Sequence, residues 1–580
     1  MSENQTIFNK FEQAVKKYPK NIALGYKHHS HFKTLSYGRL LDKVNRAVTG
    51  LKKLGVKPGD RVAIFSRNRP EWVKLDLALN KIGAVCVPIH TTLSPRLIKH
   101  IIQNSGARFL AIGDLFSKYQ EIADQLQLAS VITFNRIEWK QGLVYFEDLM
   151  KEKPDQNEPS DFSASNGVAS IIYTSGTTGD PKGVALTNQN FISNIYAATQ
   201  YVPYNSRDVF LSFLYLSHVL ERTGGYLAPL FHGASVYFAE SAKTVAEDLK
   251  KVKPTILLSV PRVFEKAYDK VMDRVRASSF FKQKLFFSSL EISRMYLKAK
   301  RDSSPLKPFF KITHFLADRL VLKKVRQALG GHLKFSISGG APLNPSVARF
   351  IEAIGVKILE GYGLTETSPI ISVNPLNGYR FGTVGKVIPG VEVKIAEDKE
   401  ILVKGHNVMS GYFNNEAGTQ EVIQDGWFKT GDLGFLDKDN FLTIIGRKKE
   451  MIVTSNGKNV NPNNIENALV ENKYIMQAMV YGDKQKHISA LVVPDFEQLK
   501  LWAEENNLAG EIYELVKQPK VVELYQREIT EKLKDFPENE QVKNFILLDR
   551  EFKEEKEELT PTLKLRRSKI LANFKDLLDN

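Results

Sequence analysis

The period of apolar positions changes along the chain. VAIF (62–65) is a short apolar run, the length of a strand buried on both faces. EWVKLDLALNKIG (71–83) follows with helical spacing, and VCVPI (85–89) predicts the next strand. Ser94 and Pro95 supply an N-cap and a first-turn proline. Leu97, Ile98, Ile101 and Ile102 then form one helical stripe, which Gly106 ends, and RFLAIGD (108–114) is a further strand. Such alternation predicts βαβ units and a parallel sheet. From about residue 450 the texture shifts. NIENALVEN (464–472) reads as a helix, and MVYGD (479–483) and ISALVVPD (488–495) read as strands of a smaller α+β unit. Residues 151–166 are polar with two prolines and read as an exposed connector. No fixed-period repeat is present.

At 580 residues the chain holds several folding units, and its ordinary composition excludes disordered and collagen-like classes. A single cysteine, Cys86, permits no intrachain disulfide, and its apolar surroundings predict an inert buried thiol. The eleven histidines show no metal-ligand spacing, so neither structural zinc nor a histidine-built metal site is expected. The N-terminus has no signal-peptide pattern, and no uncharged apolar run approaches the ~20 residues of a membrane span. The expectation is a cytoplasmic protein, soluble or peripheral on the inner face of a membrane.

The net charge of +16 is concentrated between Arg262 and Arg326, where 17 Lys/Arg face 6 Asp/Glu among ten Phe/Tyr. Basic and aromatic residues on helices suit an anionic bilayer surface. The alternative is a solvated face with its aromatics turned into the core. No recognition motif accompanies the charge, so no nucleic acid partner is expected.

The strongest chemical signal is YTSGTTGDPKGV (173–184), an apolar strand feeding a loop of Ser, Thr and Gly with one lysine. Glycines let backbone N–H groups converge on an anion, hydroxyls add donors, and Lys182 adds a point charge. This is a phosphate cradle but not a Walker A loop, because glycine follows Lys182. SGGAP (338–342), GYGLTE (361–366), WFKTGDLG (427–434), GRKK (446–449) and LTPTLKLRR (559–567) follow in order. Together these segments resemble the motifs of the adenylate-forming superfamily, which includes acyl-CoA synthetases, peptide-synthetase adenylation domains and luciferases. SHVLER (217–222), VPRVFEK (260–266) and the helical insertion after it resemble the long-chain acyl-CoA synthetase branch. The resemblance spans roughly residues 30–570.

The resemblance implies an α/β and α+β architecture. A large N-terminal AMP-binding domain (1–446) would hold parallel and mixed sheets flanked by helices, with the basic insertion at about 266–326. A hinge (447–449, with Lys449 as hinge residue) would join it to a mobile α+β domain (450–580). Thr174, Ser175, Gly176, Thr177, Thr178, Gly179 and Lys182 would hold the ATP phosphates. Gly339, Gly340 and Ala341 would line the adenine, and Tyr362, between Gly361 and Gly363, would stack on it. Glu366 and Thr174 would hold Mg²⁺, and Thr365 would contact the α-phosphate. Asp432 and Arg447 would grip the ribose. Lys564 would reach the α-phosphate during adenylation, and His218 would lie beside the acyl pocket. Gly457 would leave room for the pantetheine of coenzyme A. Tyr215 and Asn188 depart from the family pattern, which often has proline and histidine there.

The implied reaction activates a long-chain fatty acid through an acyl-adenylate and passes it to coenzyme A, releasing pyrophosphate and AMP. An acyl carrier protein is the alternative acceptor, and a homodimer is left open. A lipid- or nucleotide-binding pseudoenzyme is disfavoured, because Thr174, Lys182, Glu366, Asp432, Arg447 and Lys564 are all present. The failed Walker pattern argues against a P-loop kinase or ATPase.

Overall fold

The computed structural model describes residues 5–29, 31–139, 142–154, 167–174, 180–241, 243–302, 304–560 and 564–578. Most of the connector predicted at 151–166, and the loop residues Ser175, Gly176, Thr177, Thr178 and Gly179, lie outside them.

The βαβ pattern near the N-terminus builds five strands of an eight-stranded sheet. Val85–Pro88, Arg61–Phe65, Phe109–Ile112, Ser130–Thr133 and Leu143–Tyr145 run parallel in that spatial order. The helices Pro70–Ile82 and Pro95–Ser105 make the crossovers, the second ended by Gly106 at φ +62°. Ser94 has the extended backbone of an N-cap but makes no side-chain cap bond. The sheet is mixed rather than parallel throughout. Val168–Thr174 continues the parallel order beside Val85–Pro88, then turns back in an antiparallel hairpin with Lys182–Thr187. Gly411–Tyr412 adds an edge strand from far along the chain.

A second sheet has nine strands. Its centre is parallel (Lys357–Gly363, Phe335–Ser338, Ile256–Ser259, Val209–Ser212, Ser235–Phe238, Ile22–His28), with antiparallel strands at both edges. The two sheets share one large core that includes Tyr37, Trp72, Phe191 and Tyr226. An antiparallel five-stranded sheet follows, with Val391–Ile395, Glu400–Gly405, Trp427–Leu436 and Leu442–Arg447 as its main strands. The last unit is α+β, as its texture suggests. Ile475–Tyr481, Ser489–Pro494 and Asn544–Leu547 form a three-stranded sheet, against which the helices Pro462–Val470 and Pro519–Leu533 pack. Its core (Val460, Leu469, Tyr525 among others) shares no residue with the large one.

The basic stretch forms the helices Pro261–Arg276, Phe280–Arg301, Pro308–Ala317 and Lys323–Ala328. The two readings of its aromatics divide by residue. Phe264 and Phe286 are buried, whereas Phe280, Phe281, Phe287, Phe309 and Phe315 are exposed.

Candidate active site

The hairpin of the first sheet puts Thr174 directly opposite Lys182, at the two ends of the Ser/Thr/Gly loop. The edge strand then brings in a residue that sequence reasoning missed. Tyr412 pairs with Val184, and its ring lies under the Lys182 ammonium, 4.9 Å from Nζ to the centroid. The Tyr412 hydroxyl donates to Glu366 Oε1 at 2.9 Å. Lys182 and Glu366 thus meet at one tyrosine, with Thr174 opposite Lys182. Its only sequence signal was the two-residue strand GY, too short to stand out.

Glu366 follows the strand Lys357–Gly363, whose last turns carry the GYG motif. Gly363 has no freedom to be anything else. A Cβ there would sit 1.7 Å from the Pro369 carbonyl oxygen. Gly361 pairs with Val373, and Thr365 opens the short turn Thr365–Thr367. Strand Phe335–Ser338 lies alongside in parallel, so Gly339, Gly340 and Ala341 emerge beside the same strand end. Gly340 takes φ +86°, and the Gly339 N–H donates to the Ser259 carbonyl at 3.1 Å. Glu360 accepts from the Leu343 N–H at 3.2 Å, and burial raises its pKa to about 7.

The five-stranded sheet supplies the next pair. Strand register sets Asp432 opposite Arg447, and Arg447 Nε lies 3.0 Å from Asp432 Oδ1. The Tyr362 hydroxyl donates to the other oxygen, Oδ2, at 2.6 Å. Each carboxylate oxygen has a second lone pair, so Asp432 keeps capacity for further donors. The charge of Asp432 raises the Arg447 pKa, and Glu366 adds to that from a greater distance. The two clusters therefore belong to one electrostatic neighbourhood.

Lys564 joins them from the last unit. The residue is exposed at its surface. Desolvation first, then the Arg447 guanidinium, lower its pKa, and Asp432 and Glu450 oppose them. The backbone positions it, since the Thr560 hydroxyl accepts from the Lys564 N–H at 3.0 Å and the Thr560 N–H donates to the Lys564 carbonyl at 2.8 Å. His218 lies within electrostatic reach of Lys564, and burial lowers its pKa to about 4, so it is neutral at pH 7. His90, which sequence reasoning also missed, neighbours His218. Its pKa is lowered to about 3, chiefly by burial, and its Nε2 is buried without a partner. Its ring meets the edge of Tyr215 at 4.3 Å. Asn188 is used elsewhere and accepts from the Ile7 N–H of the first helix at 3.0 Å.

Behind His218 the chain forms a π-helical segment, Glu221–Leu227. Glu221 is buried, with Oε1 unpartnered, and burial raises its pKa to about 8. Arg222 forms a fully buried ion pair with Asp76, which also accepts from the Tyr226 hydroxyl at 3.1 Å.

Two sequence-predicted residues stand apart. Lys449 is exposed in the turn Lys448–Glu450, beside Lys448, which pairs with Asp398 and Glu400 at 2.5 and 2.9 Å. Gly457, at φ +70°, sits at the tip of a small hairpin, its N–H bonded to the Thr454 carbonyl. Among the described contacts, none links Gly457 to the other site residues.

The sequence pattern of the AMP-binding enzyme family matches residues 11–413, and that of the AMP-binding enzyme C-terminal domain matches residues 449–580. The chain belongs to the AMP-binding enzyme family. Within it the chain falls in the long-chain acyl-CoA synthetase branch. It is 37% identical over 553 residues to the long-chain-fatty-acid–CoA ligase FadD15 of Mycobacterium bovis, covering 92% of this chain and 90% of that protein. It is 30% identical over 617 residues to long chain acyl-CoA synthetase 4 of Arabidopsis thaliana, covering 98% and 90%. In fold it is similar to the anthranilate CoA ligase AuaEII (TM-score 0.77, 20% identity, covering 100% and 99%). It is also similar to the ATP-bound MatB of Rhodopseudomonas palustris (TM-score 0.71, 22% identity, covering 99% and 100%).

A divalent cation such as Mg²⁺ needs hard oxygen donors. Glu366 and Thr174 offer two hard oxygen donors, and one Glu366 oxygen is free of the Tyr412 bond. Among the described residues no cluster of three or more His, Cys, Asp or Glu forms a metal cage. That donor set fits Mg²⁺ carried largely by phosphates and water, the usual mode for this ion.

Proposed function

We propose that this chain catalyses ATP-dependent activation of long-chain fatty acids to acyl-CoA, with an acyl-adenylate as intermediate. The observation that supports the reading is that Lys182 and Glu366 meet at Tyr412 with Thr174 opposite Lys182, while Asp432, Arg447 and Lys564 lie in the same electrostatic neighbourhood. The ligase relatives supply the substrate class.

A carboxylate is a poor electrophile, because a thiol cannot expel oxide. In the first step a carboxylate oxygen attacks the α-phosphorus of ATP, and pyrophosphate leaves. Negative charge spreads over the phosphoryl oxygens, so cations and donors aimed there stabilise the transition state. Lys564 and Lys182 supply cations. Thr174, Thr365 and the loop residues 175–179 supply hydroxyl and N–H donors. When bound, Mg²⁺ at Glu366 and Thr174 would neutralise further phosphate charge. Asp432 and Arg447 hold the ribose, and Tyr362 with Gly339, Gly340 and Ala341 the adenine. In the second step the coenzyme A thiolate attacks the acyl carbon, and AMP leaves. Neutral His218 lines the acyl side without placing a competing charge there.

Lys564 lies within electrostatic reach of Asp432 and Arg447, which supports its engagement in the first step. We assign residues 450–580 a rotation about 447–449, with Lys449 as pivot, which withdraws Lys564 and turns Gly457 toward the pantetheine path. The fatty acid substrate partitions into bilayers, and work at a membrane surface belongs to the same reading.

The test is pyrophosphate release across acids from acetate to oleate, with and without coenzyme A. A maximum at long chains, with turnover requiring coenzyme A, is expected. Release without coenzyme A turnover would point to another acceptor. Lys564→Ala is expected to lower adenylate formation by about 10²-fold or more, the cost of losing a charge-stabilising donor. It should spare thioester formation from supplied acyl-adenylate. Equal loss of both half-reactions would overturn the role given to Lys564.

A further inference from the structure

The helices Phe280–Arg301 and Pro308–Ala317 pack side by side on the body of the protein. Their inner face is accounted for. Phe286 and Leu290 are buried, and the Ser293 hydroxyl donates to the Ala353 carbonyl at 2.7 Å. Their outer face is not. Phe280, Phe281 and Phe309 are 80%, 74% and 76% exposed. Ile312, Phe315 and Leu320 continue the exposed apolar strip along the second helix and the turn after it. Such large side chains in water are normal singly but not as a contiguous set. A groove of about 360 Å³ beside Phe287 is lined by Tyr268, Met272, Phe350, Glu291 and Arg294.

Between Phe280 and Lys324 there are eleven Lys and Arg but only Glu291, Asp302 and Asp318 as acids. Among the described ion pairs, the acids engage only Arg294 and Arg326 within this stretch or beside it, and Arg301 reaches out to Glu352. Lys282, Lys284, Lys298, Lys307 and Lys311 appear in no described ion pair.

We propose that this face docks on an anionic lipid bilayer, with Phe280, Phe281, Phe309 and Phe315 seated among the headgroups and the lysines on lipid phosphates. Three features select this occupant. A second copy would oppose like charge with like charge across the same face. Phe280, Phe281 and Phe309 are exposed at helix starts, a placement suited to a deformable apolar boundary. Cationic side chains beside exposed aromatics on helices lying along a surface are the pattern of interfacial binding. The inference rests on the membrane reading given above and assigns it a place on the molecule.

The experiment uses the full chain and vesicles of phosphatidylcholine with about 30% phosphatidylglycerol, at low and high salt, because screening weakens the lysine contribution. Two variants are compared with wild type: F280S/F281S/F309S/F315S and K282E/K284E/K311E. Each is expected to bind anionic vesicles at least about ten-fold more weakly. Each should keep wild-type pyrophosphate release with a water-dispersed acid when no vesicles are present, which also establishes folding. Wild type that binds and variants that bind equally well would overturn the placement alone. Wild type that binds no vesicle would overturn the membrane reading, and the placement with it. A dimer mass in light scattering that the serine variant abolishes, without vesicle binding, would assign the face to a second copy and overturn the proposal.

Discussion

Two buried ionisable sites behind His218, the Asp76–Arg222 pair and Glu221, have consequences that single substitutions can read. Asp76 and Arg222 neutralise each other with no exposure to water, 146 positions apart in sequence. Arg222 also packs near the rings of Trp72 and Phe191, at 5.6 and 5.3 Å to their centroids. Asp76→Asn leaves the guanidinium buried and uncompensated, so a loss of about 3–5 kcal/mol in unfolding free energy is expected. Chemical denaturation measures it, and a loss below about 1 kcal/mol would refute the account. Glu221 is the opposite case, a buried carboxyl with no cation. Its folded pKa of about 8 lies above the ordinary 4.5, so the folded state holds the proton more tightly. Stability is then full below about pH 4.5 and declines as pH rises to about 8. Glu221→Gln is expected to raise stability at pH 8.5, by up to about 4 kcal/mol, and to change it little at pH 5. Equal melting shifts at the two pH values would contradict it.

Elements explain how much of the molecule could be read from the sequence. The βαβ strands were legible because short apolar runs and helical stripes are local patterns, and each falls on one element here. The antiparallel turn of Val168–Lys182 was not, since an apolar strand reads the same whichever way its neighbour runs. The sites on strand ends were legible as motifs. Asp432 and Arg447 meet because they are register partners on one hairpin, and Gly361, Tyr362 and Gly363 close one strand. Tyr412 and His90 were not legible, because what matters is what each touches. Tyr412 comes from a two-residue edge strand, and His90 from the loop after Val85–Pro88. Gly363 shows the same logic at the backbone. A methyl group there would collide with the Pro369 carbonyl and push the strand end away. Gly363→Ala is expected to shift Tyr362 off Asp432 and to raise the Michaelis constant for ATP about ten-fold or more, the effect of about 1.4 kcal/mol. An unchanged constant would show that the strand end yields freely.

At the scale of the whole molecule, among the described residues no hydrophobic cluster spans the last unit and the body, and polar contacts join them. Arg96 lies 3.8 Å from Glu557, Asn344 bonds Glu471, and Glu554 bonds Thr92. These are polar contacts on exposed or partly exposed residues, each individually weak. On the proposed reading such a seam would let Lys564 be withdrawn without breaking a hydrophobic interface. The separateness of the two cores also fixes how the protein takes up heat. Units that share no buried residue have no reason to melt together, so calorimetry of the free chain is expected to resolve two transitions. The smaller should belong to about one fifth of the residues, because melting enthalpy scales with the size of the unit. On the proposed reading ATP would span groups from both units, Arg447 and Lys564 among them, and should draw the two peaks toward one. In that sense the nucleotide is the mortar between two bricks, and the width of the heat-absorption peak reports how firmly it has set.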